Sequence, residues 1–412
     1  MPRFLTPIEC PSSLHAGNPH ANRVSVPHQY RHRNGPCSPV QAKQELSRGE
    51  MLRRDRERTE YVIRRASRSR SKRLLDDGAV SVPTQLGSSY DSQQYVATVG
   101  LGTPAVPQTL ILDTGSSLTW VQCKPCNSSQ CYPQRLPLFD PRTSSSYSPV
   151  PCDSQECRDL AAGTDVDGCT GDWDCAYQLH YGSGATPTGV YSSDALTLGP
   201  GAVVESFHFG CGHDQKGKFD MADGVLGLGR LLQSLAWQAS APHGGGVFSH
   251  CLPPTASSTG FLALGEPNDT SRFVFTPLLT MDEQPWFYQL MLAGISVGGQ
   301  PLDIPPAVFR EGVITDSGTM ISLLQETAYE ALRTVFRSNM AEYPLAPPVG
   351  GLDTGGATVH LDASSGVLDG CLAFWSSTGD EYTGVIGSVS QRTIEVLYDM
   401  PGGKVGFRTA AC

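Results

Sequence analysis

Two short acidic motifs constrain this chain more than anything else in it. Leu110-Ile111-Leu112-Asp113-Thr114-Gly115-Ser116-Ser117 sets a carboxylate directly after three apolar residues and directly before a turn of small hydroxyl residues. About two hundred residues later, Val313-Ile314-Thr315-Asp316-Ser317-Gly318-Thr319 repeats the arrangement. A lone ionised carboxylate at the end of a buried strand costs more than the strand end returns, so Asp113 must be paired, hydrogen-bonded or protonated. The second motif supplies Asp316 as the partner and predicts two related halves that each give one acid. A further echo agrees: residues 222–229, ADGVLGLG, and 383–388, TGVIGS, both carry two apolar residues followed by Gly. Gly227 follows Asp113 by 114 residues and Gly387 follows Asp316 by 71, so the second half is the shorter one.

Charge is distributed unevenly. Residues 1–80 carry 16 Lys and Arg against 8 Asp and Glu, a surplus of plus eight, and the remainder carries 14 against 32, or minus eighteen. An acidic body argues against a nucleic-acid partner, and the basic leader is suited to lie against it. The plain alternative for the leader is a solvated basic arm. Eight of the 13 cysteines fall between Cys123 and Cys211, in sequence rich in Pro, Ser and Asp. Their spacing lacks the His of a zinc finger, so disulfides and an oxidising compartment are expected rather than metal. Asn127-Ser128-Ser129 and Asn268-Asp269-Thr270 are glycosylation sequons that fit secretion. No apolar signal sequence is visible at the start, and no stretch is long enough to span a membrane.

Strand-like runs between Gly- and Pro-rich turns predict a mainly β protein with short strands from Tyr95 onward. Residues 46–75 read as a basic helix ending near Asp76-Asp77-Gly78. The run from Ala176 to Gly199 reads as a hairpin with a tip of Gly, Ser, Thr and Pro. Two motif-like stretches are set aside. GVLGLG lacks the charged partners of a nucleotide loop, and DVDGCTGDWD, residues 165–174, lacks the closing Glu of a calcium loop.

From about Tyr95 to Cys412 the chain resembles the pepsin-like aspartic endopeptidases, and the cysteine-rich insertion brings it near the plant nepenthesin-like branch. Besides the two Asp motifs and their Gly elements, FSHCLP, FTPLL, ISVGG, CLAF and the terminal VGFRTAAC carry the likeness. The resemblance implies a bilobal fold with the active-site cleft between two related lobes, residues 81–265 and 266–412, preceded by a basic prosegment, 1–80. It implies catalysis by Asp113 and Asp316, support from Thr114, Gly115, Ser116, Ser317, Gly318 and Thr319, and substrate contacts from Tyr181 and Trp120. Tyr181 falls at the family's flap tyrosine and Trp120 at the tryptophan set against it; the bland reading is two ordinary strand aromatics. For Ser116 and Thr319 simple turn chemistry is the bland reading, and both readings hold together.

The implied reaction is peptide hydrolysis at acidic pH. Two carboxylates brought together cannot both stay ionised, so one keeps a proton while the other activates water, which is how aspartic proteases are known to work. No cofactor or metal is expected. Expected partners are protein or peptide substrates and the chain's own prosegment, whose basic residues would cover an acidic cleft until acidification weakens the grip. A monomer, extracellular or vacuolar through the secretory pathway, completes the expectation.

The chain departs from the family where Leu352-Asp353-Thr354 runs straight into Gly355-Gly356-Ala357. By the resemblance, a cysteine and core strands are missing there, which leaves Cys371 without its usual partner. The flap reads YGSGA, and Ser388 follows Gly387 where Asn or Asp is common. A non-catalytic protein-binding or glycosidase-inhibitor-like protein on the same scaffold is the alternative, and both acids being present favours the enzyme.

Overall fold

The computed structural model describes residues 80–127, 129–160, 168–217, 219–240, 245–280, 284–345, 358–360, 369–409 and 412, all within the unit Val62–Cys412. The leader through residue 79, its expected helix, the junction at 354–356 and the side chain of Cys371 lie outside the described residues.

Nearly all of the strand Val106–Asp113 is buried, from Gln108 to Asp113. Such burial on both faces calls for an unbroken apolar run, and Leu110-Ile111-Leu112 supplies it. Alternation then divides the strand between two cores. Leu110 and Leu112 join a cluster with Leu226, Phe248 and Tyr398, whereas Ile111 joins one with Trp120, Tyr177 and Phe219.

On one side the strand pairs antiparallel with Tyr95–Leu101, and on the other it runs parallel to Gly224–Gly227, Asp113 opposite Gly227. Trp120–Gln122 returns antiparallel along Gly224–Gly227 and parallel to Ala202–Lys216. The second half repeats the plan. Val313–Thr315 runs parallel to Gly384–Ile386, and Ser322–Leu324 returns antiparallel along that strand and parallel to Phe374–Ser376. The apolar-apolar-Gly echo is therefore the strand beside each acid.

Among the described residues these strands belong to a 14-stranded sheet and a 5-stranded sheet, a mainly β, bilobal arrangement. The large sheet continues past residue 265. Ile394–Asp399 pairs with Val247–Cys251, and Lys404–Thr409 links it to Val274–Pro277. A disulfide, Cys251–Cys412, and a partly buried pair, Arg408 Nε to Glu395 at 2.6 Å, close the same seam. The helix Glu326–Asn339 covers the smaller sheet with Ala328, Tyr329 and Leu332, one turn of apolar spacing.

The hairpin from Ala176 is as expected: Ala176–Gln178 pairs with Thr186–Gly199 across the small-residue tip. Two details differ from the sequence reading. Thr186–Gly199 and Ala202–Lys216 are 14 and 15 residues long rather than short, because bulges at Thr188/Gly189, Asp194/Leu196 and Thr197/Gly199 break the alternation without ending the pairing. Strands also begin before Tyr95: Val80–Leu86 inserts between Gly260–Leu264 and Tyr95–Leu101. The cysteine-rich insertion is stapled as expected, by Cys123–Cys211, Cys126–Cys131, Cys152–Cys169 and Cys157–Cys175.

Candidate active site

Each acid stands at the end of its strand because the chain must turn there against a neighbouring glycine. A Cβ on Gly227 would sit 2.5 Å from the Ser117 carbonyl carbon, and one on Gly387 would sit 2.7 Å from the Met320 carbonyl oxygen. Ser117 and Met320 each lie four residues after their acid. The repeated Gly is thus where the acidic loop crosses its parallel strand, a passage that leaves no room for a side chain. Leu228 N–H donates to Asp113 O at 2.8 Å, and Asp316 N–H donates to Ile386 O at 3.1 Å, which fixes both loops to those strands.

The hydroxyl residues after the acids join one loop to the other. Ser317 N–H donates to Thr114 Oγ1 at 2.9 Å, and Thr114 N–H donates to Ser317 Oγ at 3.1 Å. The same hydroxyls donate onward, Thr114 Oγ1 to Thr315 O at 3.1 Å and Ser317 Oγ to Leu112 O at 2.9 Å. Four hydrogen bonds among buried groups hold the two loops in one relative position.

That lattice sets the carboxylates against each other. Asp113 Oδ1 accepts Gly115 N–H at 2.9 Å, and Asp316 Oδ1 accepts Gly318 N–H at 2.8 Å. The outer oxygens accept hydroxyls, Ser116 Oγ on Asp113 and Thr319 Oγ1 on Asp316, the latter at 2.5 Å. Desolvation and the facing Asp316 carboxylate together push the Asp113 carboxyl up to about 7, against the smaller pull of Ser116 and Gly115. Asp113 is buried, and two charges in one dry place would carry a heavy desolvation cost.

Trp120 and Tyr181 meet above this pair. Trp120 Nε1 donates to Tyr181 OH at 2.9 Å. Phe219 packs edge-on to both, with ring centroids 4.7 Å from Trp120 and 5.5 Å from Tyr181. Burial, and then the charge of Asp113, raise the Tyr181 phenol, so it stays a neutral hydroxyl. Tyr181 sits in the hairpin tip, its N–H on Ala185 O at 2.9 Å and its carbonyl accepting Gly184 N–H at 2.8 Å. The acids, Tyr181 and Phe219 line a cleft of about 780 Å³, together with Trp286 and Phe287 from the second half.

All ten residues singled out from the sequence thus gather around one cleft or its floor. Phe219, Gln94, Trp286 and Arg230 were not singled out from the sequence. Phe219 carried a weak signal, a lone aromatic in the polar run around Asp214–Asp220. Gln94 donates from Nε2 to Gly318 O, a link between the halves that nothing in its own neighbourhood announces. Asp223, also unremarked, is a structural acid. It accepts Thr109 N–H at 2.5 Å and Leu136 N–H at 3.3 Å, and burial raises its carboxyl to about 6.

Comparison with known proteins places this geometry. Residues 95–266 match the family described as "Xylanase inhibitor N-terminal" and residues 287–355 the one described as "Xylanase inhibitor C-terminal". An Arabidopsis thaliana protein named as an aspartyl protease family protein is 36% identical over 425 residues, covering 96% of this chain and 89% of the relative. Aspartic proteinase nepenthesin-2 of Nepenthes gracilis is 31% identical over 412 residues, covering 90% and 88%. Among solved structures, conglutin gamma, a basic 7S globulin from lupine seeds, aligns with a TM-score of 0.62 at 22% identity, over 81% of this chain and 95% of that one. Basic 7S globulin from soybean aligns with a TM-score of 0.61 at 21% identity over the same shares. At those identities the structures show a shared fold.

Proposed function

The chain belongs to the plant aspartyl protease family, with its pepsin-like fold, and from that premise we propose that it is an aspartic endopeptidase working at acidic pH. What carries the reading is the pair Asp113 and Asp316, each with its glycine amide and hydroxyl, facing one another at the floor of a cleft. A binding protein on the same scaffold has no use for a buried pair of acids that must share a proton.

In the proposed reaction a water bound between the carboxylates gives a proton to the ionised member as its oxygen adds to the substrate carbonyl. The protonated member donates to the carbonyl oxygen. Collapse of the tetrahedral diol breaks the C–N bond as the acid that took the water's proton gives it to the leaving nitrogen and a diol hydroxyl gives its proton to the other carboxylate, so the pair returns with one proton shared. Neither acid is assigned a fixed part, because the proton belongs to the pair. Tyr181, anchored by Trp120, covers the substrate, an extended segment of unfolded or flexible protein held by strand-like contacts along the cleft.

The same reading makes the basic leader, 1–80, a prosegment lost on acidification and sends the protein along the secretory pathway to the vacuole or outside the cell. Disulfides favour an oxidising compartment. Among the described residues no helix is long and apolar enough to cross a membrane.

Hydrolysis of a denatured globin from pH 2 to 7, with and without pepstatin and beside Asp113→Asn, tests the proposal. Acid-peaked activity that both pepstatin and the substitution abolish is the expected result. A cooperatively folded but inactive protein would sink it in favour of the glycosidase-inhibitor-like reading suggested by the two matched family descriptions.

A further inference from the structure

Three residues beyond the strand that flanks Asp113, Arg230 reaches into the other half of the molecule. Its guanidinium donates from Nη1 to Leu279 O at 2.7 Å and to Phe287 O at 3.2 Å, and from Nη2 to Thr280 Oγ1 at 3.5 Å. Its backbone N–H donates to Trp286 O at 3.1 Å, and its carbonyl accepts Trp237 Nε1 at 2.7 Å. Next to it, Leu228 O accepts Tyr288 OH at 2.6 Å, while Leu228 N–H is bound to Asp113 O at 2.8 Å. Downstream, Thr315 N–H donates to Tyr288 O at 3.1 Å, one residue before Asp316.

The segment carrying Trp286 and Phe287 is therefore tied to Leu228 and Arg230, the first of them bound to Asp113, and through Tyr288 to the Asp316 strand. Both aromatics line the cleft, and Arg230 does not. We propose that Arg230 is a positioning residue that holds the Trp286–Phe287 wall at a fixed distance from the two acids and so sets how tightly substrate binds. The proposal rests on the endopeptidase reading. Its physical basis is the planar guanidinium of arginine, whose Nη1 carries two N–H groups in fixed directions and serves the carbonyls of Leu279 and Phe287 together, while Nη2 is left for Thr280. A lysine ammonium stops one atom short of Nη1 and has no second nitrogen for Thr280 Oγ1, so it can replace only part of that bridge.

The test compares wild type, R230K and R230M. Steady-state kinetics on a peptide substrate should show KM raised about tenfold in R230M, with kcat and both limbs of its pH profile little changed. R230K should fall between the two. Hydrogen exchange, read on the same full-length proteins, should quicken over residues 279–289 in R230M and stay unchanged over 106–113. R230K also guards against the case in which R230M fails to fold. Unchanged exchange over 279–289, or a fall in kcat with KM unaltered, overturns the proposal. Should wild type itself be inactive, the endopeptidase reading falls, and the exchange difference alone decides whether Arg230 holds the wall.

Discussion

Gly318 of the second motif faces Asp113 of the first: a Cβ built on Gly318 would stand 2.8 Å from the Asp113 carboxyl carbon. The reverse also holds, since a Cβ on Gly115 would stand 2.9 Å from the Asp316 carboxyl carbon. Each motif thus keeps a glycine for the sake of the other motif's acid.

Gly318→Ala should therefore abolish activity, because the added methyl must push Asp113 away from Asp316. A loss of about a hundredfold or more in kcat/KM is expected from misplacement on the ångström scale. Gly199→Ala, at the end of the strand Thr186–Gly199 and away from the cleft, is the control: no atom lies within 4 Å of its added Cβ. Equal losses in the two variants would refute the crowding argument.

Thr114→Ala removes the acceptor of Ser317 N–H and the donor to Thr315 O. Both groups are buried. The expected cost is about 1–3 kcal/mol in denaturant unfolding. Because the two hydroxyls share one lattice, Thr114→Ala and Ser317→Ala combined should depart from additivity by about 0.5 kcal/mol or more. Thr114→Ser, which keeps the hydroxyl, should recover most of the loss.

Tyr181→Phe keeps the ring against Phe219 but takes the acceptor from Trp120 Nε1. A loss of about 1–2 kcal/mol in transition-state stabilisation, or roughly five- to thirtyfold in kcat/KM, is expected with little change in melting temperature. Wild-type kinetics in this variant would return the two aromatics to an ordinary packing role.

The raised Asp113 carboxyl gives a sign to the pH dependence. With Asp113 raised to about 7 by burial and by the facing Asp316, the folded pair holds its proton up to that range, whereas an unfolded Asp releases its own near the ordinary carboxylate value. Folding is thus favoured by this group at low pH, and that contribution is lost as pH rises through about 7. Activity should fall over the same upper range as the pair gives up its shared proton. Asp113→Asn removes the titration, so it should melt above wild type at pH 7 and lose that advantage at pH 4. Parallel melting curves at both pH values would show that Asp113 does not carry the effect.

What the sequence determined by itself was local and repeated. Apolar runs ending in Asp, small hydroxyls after them and a downstream Gly were enough to foresee both acidic loops, because strand burial and turn chemistry depend on neighbours a few residues away. The hairpin carrying Tyr181 was legible for the same reason, and the dense cysteines foretold staples without saying which would pair, since Cys123 meets Cys211 88 residues away. Only the tertiary structure decided which groups from distant segments meet. Asp316 beside Gly115, Thr114 against Ser317, Gln94 on Gly318 and Arg230 on Leu279 and Phe287 all join positions far apart in the chain. Their side chains look ordinary in sequence because a hydrogen bond records the position of its partner in space. The 14- and 15-residue strands and the sheet that runs past residue 265 were hidden likewise. Bulges erase the alternation that marks a strand, and pairing between distant strands leaves no trace in either strand alone.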